Sequence, residues 1–287
     1  MIDWIQGDKF KGIADFTYSP KKKLSDDYDN LSNTFDPSKL KEVNIVYTHM
    51  MYAAYLISII QHLGKKFILI THSCDCRIEN DKIIRPNGCG IDQYSDLYKL
   101  PNNIIAWYSK NVNTINSRIK SIPIGLENDR WFPQLHKKEK MIEKLDEPPM
   151  VKNLAYMCHN QNTHPERKEL YGLFKGKFWI TIEQGSNGSK FDEYLDNIYH
   201  HQFVICPQGN GIDTHRTWEC LYTRTIPIEK RNINNQFYTD LPICFVDDWE
   251  EVTEGFLQKE LIRIKNTKWN MQKLTFEYWK NKILTTV

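Results

Sequence analysis

The chain has 287 residues, 40% hydrophobic and 26% charged, with 38 Lys plus Arg against 36 Asp plus Glu and a formal net charge of +2. That length buries one large core or two smaller ones, and the balance of charge argues against a nucleic-acid surface, which wants a basic stripe. The densest basic run, Lys21 to Lys23, reads as a solvated turn. Seven cysteines, at 74, 76, 89, 158, 206, 220 and 244, form no framework of the secreted kind. With no signal-like start and no run of eighteen apolar residues, the expectation is a soluble, cytoplasmic protein with reduced thiols.

The first forty residues are polar and turn-rich and predict little regular structure, although Trp4, Ile5, Phe10, Ile13, Phe16 and Tyr18 need a surface to cover. Strands are expected at 44–48 and 67–71, with a buried apolar helix over 50–63 between them, ended by Gly64. Strand, helix, strand is how a parallel α/β sheet begins. After the second strand comes His72-Ser73-Cys74-Asp75-Cys76, at the carboxyl end where ligands of open α/β sheets collect. His72 and Asp75 are therefore acid/base candidates. His72, Cys74, Cys76 and Cys89 lack the paired spacing of a structural zinc site, so no metal is expected. Further strands are expected at 104–108 and 121–124, the second leading into Gly125-Leu126-Glu127, a reserve carboxylate. The charged stretch 136–150, with Glu147 before two prolines, predicts a linker.

The pattern then restarts with a strand over 153–157, a polar loop over 158–164 and a helix opening on Pro165, with Arg167 in its first turn. A strand over 178–182, a flexible loop over 185–189 and a helix over 191–201 follow. Residues 203–228, FVICPQGNGIDTHRTWECLYTRTIPI, read strand, loop, helix, strand. Asp213 or Thr214 can cap that helix, and Trp218, Leu221 and Tyr222 make its apolar stripe. The loop Gly209-Asn210-Gly211 stands at the helix N-terminus, whose unpaired N–H groups and positive dipole end suit an anion, above all a phosphate. Arg216, one turn in, can grip the same anion bidentately. The run is neither a Walker A motif nor a dinucleotide fingerprint. Glu219, three residues after Arg216, is either its intrahelical ion-pair partner or an acceptor for ribose hydroxyls. A strand over 243–246, a largely helical 249–264 and a final amphipathic helix over 271–284 complete the chain.

The run Phe203-x-x-x-x-Pro207-x-Gly209-x-Gly211-x-Asp213-x-x-Arg216-x-Trp218-Glu219, closing on Ile226-Pro227-Ile228, resembles the signature of the exostosin-type glycosyltransferases. Residues 160–167, NQNTHPER, resemble that family's Thr-x-x-x-Arg loop and helix start, and 241–249 resembles the segment after the main motif. The His72 to Asp75 loop, residues 121–128 and the closing Leu274-Thr275-x-x-Tyr278-Trp279 look similar to small exostosin-like enzymes of bacteria and large DNA viruses, and together the matches span most of the chain from about residue 70.

The resemblance implies a GT-B-like α/β architecture, two Rossmann-like lobes with parallel sheets facing across a cleft. Residues 1–138 would form the acceptor-side lobe, 139–150 the linker and 151–270 the nucleotide-sugar-binding lobe, with 271–287 able to join the first. It implies an inverting, metal-independent transfer from a nucleoside diphosphate sugar to a hydroxyl of an oligosaccharide or glycoprotein glycan. UDP is the favoured nucleotide, and among its sugars xylose, galactose and glucuronic acid are open, with xylose preferred; no cofactor is implied beyond this co-substrate. Asn160, Thr163, Arg167, Gly209, Asn210, Gly211 and Arg216 would hold the diphosphate, and Glu219 the ribose. Asp75 or His72 would be the base, with Glu127 and Asp213 in secondary or acceptor-side roles. Thr223 and Arg224 depart from the family, which carries small residues there, and no membrane anchor or stem of the better-known members is expected; a viral member would work in the host cytoplasm. The alternative is a non-catalytic nucleotide-sugar or glycan-binding module.

Overall fold

Alternating apolar strands and amphipathic helices build two α/β units, one of Gly7–Ile122 with Trp279–Val287 and one of Met1–Gln6 with Pro123–Tyr278. The computed structural model describes residues 3–18, 36–80, 82–84, 100–129, 134–146, 150–185 and 191–286. Lys21 to Lys23, Cys89, the Glu147-Pro-Pro run and residues 186–189 lie outside the described residues. Among the described residues no helix is long and apolar enough to cross a membrane.

The N-terminal unit runs α1 (Gly7–Lys11), β1 (Phe16–Tyr18), β2 (Ile45–His49), α2 (Ala53–Ile60), β3 (Phe67–His72), β4 (Arg77–Glu79), β5 (Lys82–Ile84), β6 (Ile104–Ser109), β7 (Val112–Asn113) and β8 (Ile119–Ser121). Its main sheet is parallel throughout, in the order β1-β2-β3-β6-β8. All six residues of β3 are buried, which explains an apolar run without alternation: both faces of the strand are covered. Leu56, Ile57 and Ile60 of α2 pack with Val46, Leu69 and Trp107 of the sheet. The helix stops before Gly64 because the Asn103 amide donates to the carbonyls of Ile60 (2.6 Å) and Leu63 (2.9 Å), satisfying end groups that another turn would have used.

Three expectations shift here. Residues 16–18 form an edge strand where little regular structure was expected. Three residues carry no readable period, yet the Asp15 carboxylate, accepting from Asn44 N and Ile45 N at 2.9 Å each, clamps them to β2. The strand expected at 121–124 lies at 119–121, in register with Trp107 to Ser109. His72, expected in the loop, is the last residue of β3 and lies opposite His49.

The C-terminal unit runs α3 (Gln134–Asp146), β9 (Asn153–His159), α4 (Pro165–Phe174), β10 (Ile180–Gln184), α5 (Phe191–Tyr199), β11 (His201–Ile205), α6 (His215–Tyr222), β12 (Ile226–Lys230), β13 (Cys244–Val246), α7 (Glu254–Lys265) and the start of α8 (Phe276–Leu284). Its sheet is also parallel, in the order β10-β9-β11-β12-β13. Period-two alternation sorts the two faces. Ala155 and Met157 of β9 pack with Leu170 of α4 and Leu257 and Ile264 of α7, while Tyr156 and Cys158 pack with Ile198 of α5 and Cys220 of α6. Two Rossmann-like units with parallel sheets are thus the fold.

The unit boundary falls at Pro123, earlier than the linker read from charge. Residues 134–146 form α3, with Lys138 and Met141 buried and Lys140 and Lys144 paired to Asp192 (3.6 Å) and Asp196 (2.6 Å) of α5. The charges that looked like a solvated linker are the pairing face of a helix. Residues 3–6 belong to this same unit: Leu126 N donates to Ile5 O (2.9 Å), and Ile5 N to the Tyr222 hydroxyl (2.9 Å). The expected final helix is broken at Thr275 into a 3-10 turn, Met271–Leu274, and α8. The end of α8 belongs to the N-terminal unit, where the Tyr108 hydroxyl meets Lys282 O (3.2 Å) and Thr286 Oγ1 (2.7 Å).

Candidate functional site

Strand order decides where a ligand can sit. In the C-terminal unit the chain goes from β9 to β10 on one side and then returns to β11 on the other, so the connections from neighbouring β9 and β11 leave toward opposite faces. That reversal opens a crevice at the carboxyl ends of the strands. In the N-terminal unit the main sheet follows chain order, with no such reversal among the described residues.

A cavity of 730 Å³ occupies the reversal point. The end of β9 supplies Cys158, His159 and Asn160, the end of β10 supplies Glu183 to Gly185, and α6 supplies Thr214 to Arg216 and Glu219. Thr214 is the N-cap of α6, with φ −127° and ψ 144°, and its side chain makes no capping bond. The first turn of α6 therefore offers its amides and positive dipole end toward the cavity rim.

Arg216 is the cation best placed to use that rim. Its guanidinium lies 5.7 Å above the Tyr194 ring, and its Nε is buried without a hydrogen-bond partner. Burial works to lower its pKa, but Tyr194, Cys206 and Glu219 outweigh burial and raise it above the ordinary value, so it stays charged. No Arg216–Glu219 ion pair forms; Glu219, which lines the cavity, instead accepts through Oε2 from the Tyr194 hydroxyl at 2.8 Å.

Arg167 serves the same cavity differently. It is buried, and its Nε, Nη1 and Nη2 donate to the carbonyls of Gln208 (2.8 Å), Asn160 (3.3 Å) and Pro207 (3.2 Å). The guanidinium ties the loop after β9 to the loop after β11, with two of its five N–H groups left over. Burial first and the neighbouring Arg216 charge second push its pKa down to about 10. Gly209 packs on this guanidinium so closely that a Cβ there would stand 2.9 Å from Nη2.

His159 carries a signal that sequence reading missed. Its Nε2 lies 3.2 Å from the Arg167 carbonyl, which can only accept, so Nε2 bears the proton and Nδ1 presents a lone pair. Burial and the nearby Arg216 push its pKa down to about 4, which keeps the ring neutral at physiological pH. Its Nδ1, like the Thr214 Oγ1, is buried without a partner. Tyr194 and Glu183, the latter held by Tyr156 at 2.6 Å, are further lining residues that no motif announced. These residues lie on β9, β10 and α5, and only the strand order makes them neighbours.

The other expected residues sort as follows. Asn160 lines the cavity, and its Oδ1 accepts from Asn162 N at 2.9 Å; Thr163 donates to Asn160 O at 3.2 Å and does not line it. Gly209, Asn210 and Gly211 do not line it either, and the Gly209 amide is taken by the Gly211 carbonyl at 2.9 Å. Asp213 holds the loop in place, accepting from Ile124 N (2.7 Å) and Trp218 Nε1 (2.9 Å). Glu127 lies 3.3 Å from Nε2 of His215, a cavity residue whose Nδ1 donates to Gly125 O at 2.7 Å. Gly125 must be glycine: its φ is +66° and a Cβ would meet Ile5 O at 2.3 Å.

In the N-terminal unit, His72 is buried and stacked on Phe10 with centroids 5.6 Å apart. Asp75 is about half exposed, with its Oδ1 3.7 Å from the buried Lys110 ammonium. Among the described residues no three His, Cys, Asp or Glu side chains converge as metal ligands.

No family model and no curated protein matches the chain. Among solved structures it is similar to an α1,3-fucosyltransferase, at 14% identity over 88% of this chain and 78% of that one, with a TM-score of 0.45. A second is AviGT4, a glycosyltransferase involved in avilamycin A biosynthesis, at 11% identity over 90% and 80% of the two chains, with a TM-score of 0.30.

Proposed function

We propose that this chain is a glycosyltransferase of the GT-B type, moving a sugar from a nucleoside diphosphate to a glycan hydroxyl with inversion and without a bound metal. One observation carries the reading: Arg216 Nε, Thr214 Oγ1 and His159 Nδ1 are buried, unpartnered and gathered on one 730 Å³ crevice at a helix N-terminus. Buried polar atoms are nearly always paired, so three together mark groups held for a ligand. The set fits a nucleotide sugar: a cation and helix amides for phosphate, and the His159 and Glu219 acceptors for hydroxyls. The exostosin-type resemblance falls on the same elements and is the ground for favouring UDP and, among its sugars, xylose.

In this reading the acceptor oxygen attacks the anomeric carbon, and the bond from that carbon to the diphosphate breaks with its electron pair on the leaving oxygen. The acceptor proton passes to a carboxylate or imidazole. The charge growing on the leaving phosphate meets Arg216 and the α6 N-terminus, already oriented before reaction. Asp75 or His72 is the proposed base, with Glu127, oriented by His215, as the second choice. Arg167 contributes charge and loop geometry, and Asp213 positions the loop from behind.

Thermal unfolding with UDP, GDP and CMP, followed by donor hydrolysis and transfer against a panel of nucleotide sugars, tests the proposal. A shift with one nucleotide and turnover of its sugar are expected. No shift with any nucleotide would sink the reading, whereas a shift without turnover would point to the non-catalytic binding module.

A further inference from the structure

Thr223 and Arg224, the departure from the family pattern, occupy the opposite end of the C-terminal unit. Arg224 has φ +61° and closes α6 in a Schellman motif, with Arg224 N donating to Leu221 O (3.3 Å) and Thr225 N to Cys220 O (2.9 Å). That position ordinarily belongs to glycine, because a Cβ there crowds the backbone. An arginine held in this conformation calls for a reason beyond helix termination.

The reason lies in what its side chain lines. A cavity of 410 Å³, within the range of small-molecule sites, opens at the amino ends of β11 and β12. Its walls include Leu221, Ile226, Leu261, Ile264 and Trp269. The polar groups of the wall are mostly spent on the protein itself: Thr225 Oγ1 donates to Ile198 O (2.9 Å), and the His201 nitrogens meet Asn197 O (2.5 Å) and Thr181 Oγ1 (3.0 Å). Among the described residues no acidic side chain lines the cavity, while Arg224 and Lys265 are exposed at it, their side chains in no ion pair or hydrogen bond. An apolar chamber with two uncommitted cations at its edge complements a molecule with an apolar tail and an anionic head.

We infer that this cavity is a second ligand site, separate from the 730 Å³ crevice, for a single-chain amphiphile with a carboxylate or phosphate head. The tail lies against Leu221, Ile264 and Trp269, and the head meets Arg224 and Lys265. The inference does not depend on the proposed transfer reaction.

Equilibrium dialysis of the full chain with dodecyl phosphate, below its micelle concentration, tests the inference. Saturable binding of one equivalent is expected, unaffected by UDP. Dodecyltrimethylammonium, which keeps the tail and inverts the head, and inorganic phosphate, which lacks the tail, are expected not to bind. Arg224→Gly keeps the left-handed turn and relieves its crowding, so it is expected to melt about 2 °C higher while binding at least about tenfold more weakly. Lys265→Gln is expected to weaken binding in the same direction. Equal binding of the cationic amphiphile, or undiminished binding by Arg224→Gly, would overturn the site. Binding only to anionic phospholipid vesicles, with none to free dodecyl phosphate, would overturn it in favour of a membrane-surface contact.

Discussion

Two arginines on one cavity are predicted to answer the same substitution with very different effects on stability. Arg216 makes no ion pair, and its Nε is buried without a partner. Arg216→Met removes a cation stacked on Tyr194 together with the desolvation of a buried, unpartnered Nε, so its unfolding free energy is expected to stay within about 0.5 kcal/mol of wild type. Arg167 donates to three carbonyls, and Arg167→Met strips those of Pro207 and Gln208 and loosens the Asn160 loop. At about 1–3 kcal/mol for a buried group left unpaired, the expected loss is about 3 kcal/mol. Ligand binding reverses the comparison for Arg216. Losing two charge-assisted bonds to phosphate at about 1.5 kcal/mol each weakens binding about 100-fold. At a UDP concentration about 1,000 times the wild-type Kd, ligand stabilisation falls from about 4 to about 1.4 kcal/mol. Denaturant titrations with and without UDP read both quantities. If Arg216→Met cost as much stability as Arg167→Met without nucleotide, or kept the full UDP increment, the assignment of Arg216 as the anion's partner and Arg167 as the loop tie would be refuted.

Gly209→Ala places a methyl 2.9 Å from Arg167 Nη2, a guanidinium pinned by its carbonyls. A loss of about 1–3 kcal/mol is expected, and it should shrink in an Arg167→Ala background, as a double-mutant cycle would show. Glu229 accepts from Thr217 and from Asn235 (3.1 Å); burial, reinforced by the Asp213 charge, raises its pKa from 4.5 to about 7. Between those values the folded protein keeps a proton that the unfolded chain releases, so stability falls as pH rises from 4.5 to 7, by about 3 kcal/mol from this group, and is then level. Glu229→Gln should flatten that segment of the unfolding profile; an unchanged slope would reject the assignment. Asp75→Asn, His72→Ala and Glu127→Gln, assayed for turnover at saturating donor, separate the base candidates. A true base costs about 100-fold or more in kcat while UDP binding stays intact, and near-normal turnover in all three would remove the proton-transfer scheme.

Much of the fold was legible because it rests on local chemistry. Pro165 opens α4, the apolar run of β3 reads as a strand, and the α6 helix follows its glycine loop as expected. Elements went unread where the deciding contact is remote. Residues 16–18 need Asp15 and β2 to become a strand, and α3 looked like a linker until Asp192 and Asp196 supplied partners for its lysines. Among the site residues, Arg216 and Glu219 were visible in a motif, but the exchange of Arg216 for Tyr194 as the partner of Glu219 was not.

By itself, the sequence determined the α/β class, the helix start at α6 and the presence of an arginine in its first turn, because capping, dipole and helical spacing act within a few residues. Only the tertiary structure decided that the C-terminal sheet reverses its strand order while the N-terminal one does not. That reversal assembles His159, Thr214 and Arg216 on one cavity, and it rests on parallel pairings between strands tens of residues apart. Register of that kind is set by which faces bury together, a choice made by the whole unit rather than by any single stretch of it.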